Sequence, residues 1–585
     1  MTCTREMNRR SLGAALIVLT CLAQPSPAQE EAEGPVTDEV FQEQIGIEVV
    51  NVDVVVTDKK GRAVEGLTRE DFELRIDGRL VEIANFYAVT GAEATPAPAP
   101  AVEEDAAPPD AAAPRDPVHV VVYFDSFYLT PISRKRVLED LPAFFERQIA
   151  DGARILLAVH LQDLKVMSEF TDDLDELRSA LARIAEAPAA GLQQTTGHRL
   201  TLDGLRDIYK VCEDSPILEP CLDCFEQMVG LARSFGAGAL AERRGAVAAL
   251  NDVVNALSVL EGRKSVLHVS DGIQQHPGID FFHYIGEQLC PQRRGDLTEY
   301  YLHQDVEDLK DVVARANASR VTFYALEAAG VRNFSSASAE YGDHFFKPSG
   351  ENDMIRIANL QSTLHYLSAE TGGKAILNAS AYAADLDKLA GELRTYYSLG
   401  YQPEHPGRGR SHYVRVKVPK KNAEVRYRRT FLHKKPDQQL ADRALGAVFF
   451  GAGANPLSAT VEVRTTRPGE AGRVVVPLEI AVPLARLVLL PHADARRGRM
   501  TVVVAAPDEK NDEIAIRRKD IPVSLAHGAT PAEDDVWRFG VNVELMPGTY
   551  QLGVGIWDEV GATGSFLNVP VEAALASAGE GGATE

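Results

Sequence analysis

Basic residues are in short supply in this chain of 585 residues. Lys and Arg number 61 against 84 Asp and Glu, which gives a formal net charge of −23. Binding to nucleic acid or adsorption to anionic lipid requires clustered cationic side chains. The composition therefore excludes both as main partners, and it is typical of an acidic soluble protein whose charge opposes self-association.

Catalytic signatures are also missing. The sequence contains no Gly-x-Ser-x-Gly elbow, no His-Glu-x-x-His helix and no glycine-rich phosphate loop ending in Lys-Ser/Thr. His276 and His283 flank Asp280 and could be imagined as metal ligands, but scattered surface histidines explain them better. We therefore expect a non-enzymatic protein with no cofactor and no small-molecule ligand.

Long apolar runs are absent beyond the first residues, so no transmembrane segment is predicted. Three arginines precede the apolar stretch 12–23, and a small-x-small site at 26–28 follows it. This is the pattern of a secretory signal peptide that is cleaved after Ala28. We expect a secreted or periplasmic protein.

Cysteine is scarce, and two of the six cysteines lie in the predicted signal peptide. An even number of remaining cysteines in an exported protein indicates disulfides, for which three pairings are possible. A four-cysteine zinc site is one alternative, and a redox-active Cys-x-x-Cys pair is another. The four remaining residues are Cys212, Cys221, Cys224 and Cys290, of which Cys221 and Cys224 form the Cys-x-x-Cys pair.

The pattern of apolar residues changes along the chain and divides it into segments. Alternating polarity predicts antiparallel strands at both ends, and apolar strands alternating with amphipathic helices predict a doubly wound parallel sheet between them. The fold class is therefore α/β with flanking β-sandwich domains. The expected segments are a signal peptide (1–28), a disordered stretch (29–43), a small β-sandwich (44–90), an Ala/Pro/acidic linker (91–117), the α/β domain (118–432), an Ig-like β-sandwich (443–571) and a disordered tail (572–585).

Two predicted strands of the α/β domain end in an aspartate. Val118 to Asp125 is an apolar run that stops at the carboxylate, and Ser265 to Asp271 ends in the same way. The carboxyl ends of parallel strands form the edge at which open α/β sheets bind ligands. Two insertions, 188–238 with three cysteines and 273–300 with the fourth, leave the sheet near this edge. A disulfide between them would brace a lid over it.

The sequence resembles the von Willebrand factor A-related family of exported bacterial proteins over about residues 45–432. The resemblance implies a von Willebrand A-like fold and a role in protein interaction rather than a defined activity. The motifs that carry it are Val52–Val56, Gly66-Leu67-Thr68-Arg69-Glu70-Asp71-Phe72, Asp77-Gly78, Phe124-Asp125, Thr371-Gly372-Gly373, Tyr396-Tyr397-Ser398-Leu399-Gly400-Tyr401 and the basic segment Val414 to Arg429.

In that family the carboxyl edge of the sheet carries a metal-ion-dependent adhesion site. Its ligands are an Asp-x-Ser-x-Ser motif on the first loop, a threonine on a second loop and an aspartate on a third. The resemblance assigns Asp125 and Asp271 to the two aspartates and Thr195 or Thr196 to the threonine. Oxygen ligands of this kind suit Mg²⁺.

Apolar side chains replace the hydroxyl ligands of the first loop. Phe127 and Leu129 stand where the two serines belong, and neither can bind Mg²⁺. We therefore predict a degenerate site in which the two aspartates fix local turns, with Mg²⁺ binding as the alternative. Ser126, Phe127 and Tyr128 would then either face a partner or pack under the cysteine-bearing insertions.

The function expected from these observations is that of an exported, non-enzymatic interaction or adhesion protein with an unidentified protein partner. One alternative is an adhesion module that depends on Mg²⁺ held by Asp125 and Asp271. Another is a redox or hydrolytic envelope enzyme whose chemistry lies in the cysteine insertion.

Overall fold

The structure is a computed structural model, and it describes the two sandwich-forming regions and the α/β region between them. The predicted signal peptide, the stretch 29–43 and most of the predicted linker lie outside the described residues. The described residues are 50–90, 93–96, 118–258, 260, 262–297, 306–332, 348–403, 410–419, 423–432, 436–450, 455–492, 495–507, 514–526 and 535–574.

The first strands of the chain form parts of two small sheets. Val52, Val54 and Val56 alternate along the first strand and point into a core that the two sheets share. The strand Glu93–Pro96 pairs antiparallel with the strand Asn85–Thr90, so part of the expected linker is an edge strand. The strands are β1 (Val50–Thr57), β2 (Glu73–Ile76), β3 (Arg79–Leu80), β4 (Asn85–Thr90) and β5 (Glu93–Pro96).

A sheet of six strands forms the centre of the molecule, in the order β11-β10-β9-β6-β7-β8. All neighbours are parallel except β8, which pairs antiparallel with β7 at the edge. In chain order this is a 3-2-1-4-5-6 arrangement, the order of a doubly wound sheet. The strands are β6 (Val118–Asp125), β7 (Ala153–His160), β8 (Leu164–Thr171), β9 (Lys264–Ser270), β10 (Val321–Glu327) and β11 (Ala375–Ile376).

Helices cover both faces of this sheet, as its continuous apolar strands require. The helices α1, α2 and α9 bury one face, while α5, α7 and α8 bury the other. Much of the expected insertion 188–238 is helical, because α3 and α4 lie within it and α5 begins at Phe225. The helices are α1 (Pro131–Ala150), α2 (Leu174–Glu186), α3 (Gly191–Glu213), α4 (Pro220–Asp223), α5 (Phe225–Leu257), α6 (Ile279–Tyr284), α7 (Glu307–Ala318), α8 (Gly350–Glu370) and α9 (Ala383–Arg394).

Strands that follow the α/β region return to the first sandwich. β1 lies between β12 and β14, and β13 pairs with β2. The structure therefore differs from our expectation of a separate sandwich at 44–90, because its strands pair with strands between residues 395 and 432 that we had assigned to the α/β domain. The alternating apolar face of β1 needs partners, and Tyr397, Leu399 and Tyr401 supply them. These strands are β12 (Thr395–Tyr401), β13 (Ser411–Lys417), β14 (Glu424–Tyr427) and β15 (Thr430–Leu432).

A half-buried charge cluster joins this sandwich to the amino ends of the central strands. Asp53 of β1 accepts a hydrogen bond from Arg320, at 3.2 Å between Nη2 and Oδ2. Burial raises the pKa of Asp53, but the charges of Arg320, Arg263 and Arg428 outweigh that effect, and the pKa is lowered. Arg428 also donates to the carbonyl of Asn317 at the end of α7, at 2.7 Å.

The last part of the chain is a second β-sandwich preceded by a helix that the sequence pattern did not predict. Its two sheets share one apolar core. The helix α10 packs on the outer face of one sheet, where a Cβ on Gly553 would lie 1.8 Å from the carbonyl oxygen of Ala444. The elements are α10 (Pro436–Phe450), β16 (Thr460–Val463), β17 (Arg467–Pro468), β18 (Val474–Pro483), β19 (Leu490–Pro491), β20 (Ala495–Pro507), β21 (Ile514–Ala526), β22 (Val536–Leu545), β23 (Gly548–Asp558) and β24 (Thr563–Ala573).

Two boundaries of the predicted segments shift as a result. Residues 443–450 are helical rather than the start of the sandwich, and β24 extends two residues into the expected tail. None of the helices in the described part of the chain has both the length and the apolar character needed to cross a bilayer.

Candidate functional site

Asp125 ends β6 at the carboxyl edge of the central sheet, but its carboxylate faces inward. The side chain is fully buried, and the parallel register places His160 of β7 directly opposite it. His160 Nδ1 lies 3.2 Å from Oδ1, and the Ser270 hydroxyl donates to Oδ2 at 3.4 Å. His268 of β9 places Nε2 3.6 Å from Oδ2. Groups on the two neighbouring strands thus surround the carboxylate.

The electrostatics of this cluster favour an ionised Asp125. Burial raises the pKa of the carboxyl, but hydrogen bonding and charge from His160 and His268 lower it further than burial raises it. Tyr123 packs beside the ring of His268, and burial raises the pKa of its phenol well above the usual range. The cluster is a buried anion held by imidazoles.

Asp271 follows β9 and ties together two loops of the same edge. Its Oδ2 accepts the backbone N–H of Thr130 at 2.9 Å, and its carbonyl oxygen accepts a hydrogen bond from Arg332. Thr130 also caps α1 by accepting the N–H of Ser133 at 3.1 Å. Burial raises the pKa of Asp271 more than hydrogen bonds from Thr130 and Ser133 and the charge of Arg332 lower it. Asp271 therefore fixes the start of α1.

The first loop of the edge lies under the cysteine-bearing insertion. Ser126 and Tyr128 are buried, and Phe127 packs beside Tyr128. The backbone of Gly191 at the start of α3 touches this loop so closely that a Cβ there would lie 2.5 Å from the carbonyl oxygen of Tyr128. Ser126 and Tyr128 fit the expectation of packing under the insertion, whereas Phe127 is half-buried. The contact of this loop with a partner stays a prediction.

Hydroxyl ligands expected for a divalent cation are missing from the first loop of this edge. Asp125 already accepts from His160, and the side chain of Leu129 is fully buried among apolar groups. Thr195 lies in α3, where its hydroxyl donates to the carbonyl of Gly191 at 3.0 Å. Across the described ranges, no group of three or more His, Cys, Asp or Glu side chains is arranged to hold a metal ion.

Two disulfides brace the insertions. Cys212 pairs with Cys224 inside the first insertion, and Cys221 pairs with Cys290 across the two. The expected link between the insertions is present. The alternative of a Cys221/Cys224 redox pair is wrong, because each of these cysteines is bonded to a different partner. These disulfides fit an extracellular or periplasmic protein.

A buried His–Asp pair links the two braced insertions. His198 Nε2 of α3 is 2.5 Å from Asp280 Oδ2 of α6, and the His198 ring stacks on Phe281. His283 Nδ1 lies 3.2 Å from Asn352 Oδ1. Asp280 and His283 thus make contacts within the fold. Burial and the charge of Arg356 lower the pKa of His198 despite the opposing effect of Asp280.

Several residues of the edge were missed in the sequence. His160 ends its strand just as Asp125 does, and aligning the two strand ends would have paired them. Glu327 is a third acidic strand end, fully buried, with Arg332 Nε at 2.8 Å and Gln361 Nε2 at 2.8 Å. Strand ends were the available signal, but partner identity depends on strand order.

Asp252 of α5 gives the edge a measurable pH dependence. Burial raises the pKa of its carboxyl to about 6, while His160 opposes the shift. A carboxyl whose pKa is raised in the folded protein stabilises the fold at pH values below its unfolded-state pKa. That contribution is lost as the pH rises through the folded-state pKa of about 6. Asp252→Asn is therefore expected to raise the free energy of unfolding at pH 7.5 by about 2 kcal/mol.

Urea denaturation at pH 4.5, 6 and 7.5 measures this effect. The exposed Asp311→Asn on α7 is the matched control and is expected to change stability by less than about 0.5 kcal/mol. Equal stabilisation by Asp252→Asn at all three pH values would contradict the assignment.

Comparisons with known proteins give no family for this chain. No protein-family model matches the sequence, and no curated protein matches it. Among solved structures, an aerotolerance-related membrane protein from Bacteroides fragilis is similar with a TM-score of 0.23 and 10% identity, covering 47% of this chain and 98% of that chain. Three N-terminal domains of the type V pili tip protein Mfa5 from Porphyromonas gingivalis have a TM-score of 0.22 and 9% identity, covering 71% of this chain and 75% of that chain. TM-scores this low establish no shared fold with either protein.

Proposed function

We propose that this chain is an exported, non-enzymatic interaction protein built on a von Willebrand A-like domain whose metal site is degenerate. The 3-2-1-4-5-6 strand order with an antiparallel edge strand supports that fold, together with the two aspartates that end β6 and follow β9. The sandwiches on either side act as spacers or further binding surfaces.

The burial of Asp125 carries this proposal. An adhesion site that depends on a metal needs carboxylates that reach a solvent-facing ion with an open coordination position. Asp125 instead has no exposed surface and is bound by His160 and Ser270. Apolar side chains at 127 and 129 remove the hydroxyl ligands. Partner binding by this chain is therefore independent of Mg²⁺.

The polar groups of the edge also support a non-enzymatic role. Asp125, Asp271 and Glu327 each hold neighbouring loops or strands together through hydrogen bonds. A catalytic acid or base must reach a bound substrate. These three carboxylates serve the fold instead.

Calorimetric titration of the protein with Mg²⁺ and Mn²⁺ tests the proposal. We expect no saturable heat up to millimolar metal, and no difference between the natural protein and Asp125→Asn. Micromolar binding that disappears in Asp125→Asn would overturn the proposal in favour of a metal-dependent adhesion module. A rise in melting temperature on adding Mg²⁺ would do the same, because a ligand that binds only the folded state stabilises it.

A further inference from the structure

We propose that the outer surface of the first insertion docks a protein segment that carries apolar side chains next to lysine or arginine. This inference deepens the interaction role proposed above and depends on it. The surface, called the insertion surface below, consists of Leu192, Leu200, Val211, Ile217, Leu218 and Leu222.

Exposure of large apolar side chains is concentrated in this segment. Within the described residues, 17 large apolar side chains are exposed, and these six fall between residues 192 and 222. Ile217 is 86% exposed, Leu222 67% and Val211 66%. Scattered exposed apolar residues are ordinary, whereas a concentration of them marks an interaction site.

Helix α3 buries one face and exposes three large apolar side chains on the opposite face. One face buries Leu202, Leu205 and Cys212 against α5 and α6. Leu192, Leu200 and Val211 lie within about 100° of one another on the opposite face at the helical 100° per residue. A surface helix of a globular protein normally has one apolar stripe. Asp203, Asp207 and Lys210 lie on the exposed face as well, so the three exposed apolar side chains of α3 are separated by charged ones.

The insertion surface is held rigidly. The disulfides Cys212–Cys224 and Cys221–Cys290 close the segment on both sides of Ile217 and Leu222. Arg293 donates to the carbonyl of Cys221 at 3.1 Å. A preorganised surface loses little conformational entropy when it binds.

Charge decides which partner the insertion surface fits. Between residues 192 and 223 the chain carries six Asp or Glu and three Lys or Arg, and all three cations precede Val211. Glu213, Asp214, Glu219 and Asp223 are exposed around the apolar side chains that follow. A second copy of this acidic chain would bring like charges together, and an anionic lipid surface would do the same. A partner with apolar side chains flanked by cationic ones satisfies both features.

Two fluorescent 14-residue amphipathic peptides, one of Leu and Lys and one of Leu and Glu, are the probes. Fluorescence anisotropy with the full chain should show saturable binding of the Leu/Lys peptide only. The double variant Ile217→Ser with Leu222→Ser should weaken that binding at least tenfold. Leu80→Ser, at an exposed leucine of the first sandwich, is the matched control and should leave it unchanged.

Three outcomes would overturn the inference. They are equal binding of the Leu/Glu peptide, equal weakening by Leu80→Ser, and self-association of the natural chain that Ile217→Ser abolishes. The metal titration tests the proposed function separately, so a metal-dependent result there and a negative peptide result here are distinguishable. The exposed serines leave the buried core of α3 intact, so both variants are expected to fold like the natural protein.

Discussion

Replacing Asp125 by alanine is expected to lower the free energy of unfolding by about 3–5 kcal/mol. The substitution removes the acceptor of His160 Nδ1 and of the Ser270 hydroxyl in a fully buried environment. Both partners then remain buried without it, and their lost solvation is not recovered. Urea denaturation at pH 7 measures the effect.

The size of this loss separates a structural aspartate from a metal ligand. An aspartate that serves as a metal ligand at an open site makes few hydrogen bonds in the metal-free protein. Replacing such an aspartate therefore lowers the free energy of unfolding only slightly. Glu169→Ala, at an exposed carboxylate of β8, is the control and should change stability by less than about 0.5 kcal/mol. A loss for Asp125→Ala no larger than that of the control would contradict our assignment.

The same residue contributes to acid sensitivity. The lowered pKa of Asp125 in the folded protein means that its stabilising contribution is present above the unfolded pKa and is lost as the pH falls through the folded pKa. The difference in stability between the natural protein and Asp125→Ala should therefore shrink in acid.

Removing the disulfide between the insertions, with Cys221→Ser and Cys290→Ser together, is expected to destabilise the protein by about 4 kcal/mol. The two cysteines are 69 residues apart, so the bond restricts a long loop in the unfolded chain. Local opening should follow, because this bond joins the insertion over Tyr128 to the segment that carries α6. Hydrogen exchange of the backbone at 126–129 should accelerate in the variant.

The second disulfide provides the comparison. Cys212→Ser with Cys224→Ser opens a loop of only 12 residues and should cost about 3 kcal/mol, with little change in exchange at 126–129. If this pair exposed the edge more than the longer one, the bond across the two insertions would not be the brace.

Much of the α/β region could be predicted because its signals are local. An apolar strand that ends in Asp125, and helices with one apolar stripe such as α2, are patterns of neighbouring residues. The link between the two insertions was also predicted, since both leave the sheet at the same edge.

The contacts of Asp125 could not be predicted in the same way. They depend on β6 lying between β7 and β9, which brings His160 and His268 to either side of the carboxylate. The pairing of β1 and β2 with strands from residues 395–432 is equally non-local. Alternation predicts that β1 has one apolar face but not which later strand covers it.

The shared sandwich also constrains how the chain reaches this structure during synthesis. β1 is completed more than 300 residues before β12, the strand that pairs with it. At translation rates of about 5–20 residues per second, the hydrogen-bonding edges of β1 remain unpaired for roughly 15–60 s until β12 and β14 are made. During this time both edges of β1 are open, and it is the segment that a chaperone would need to shield from aggregation.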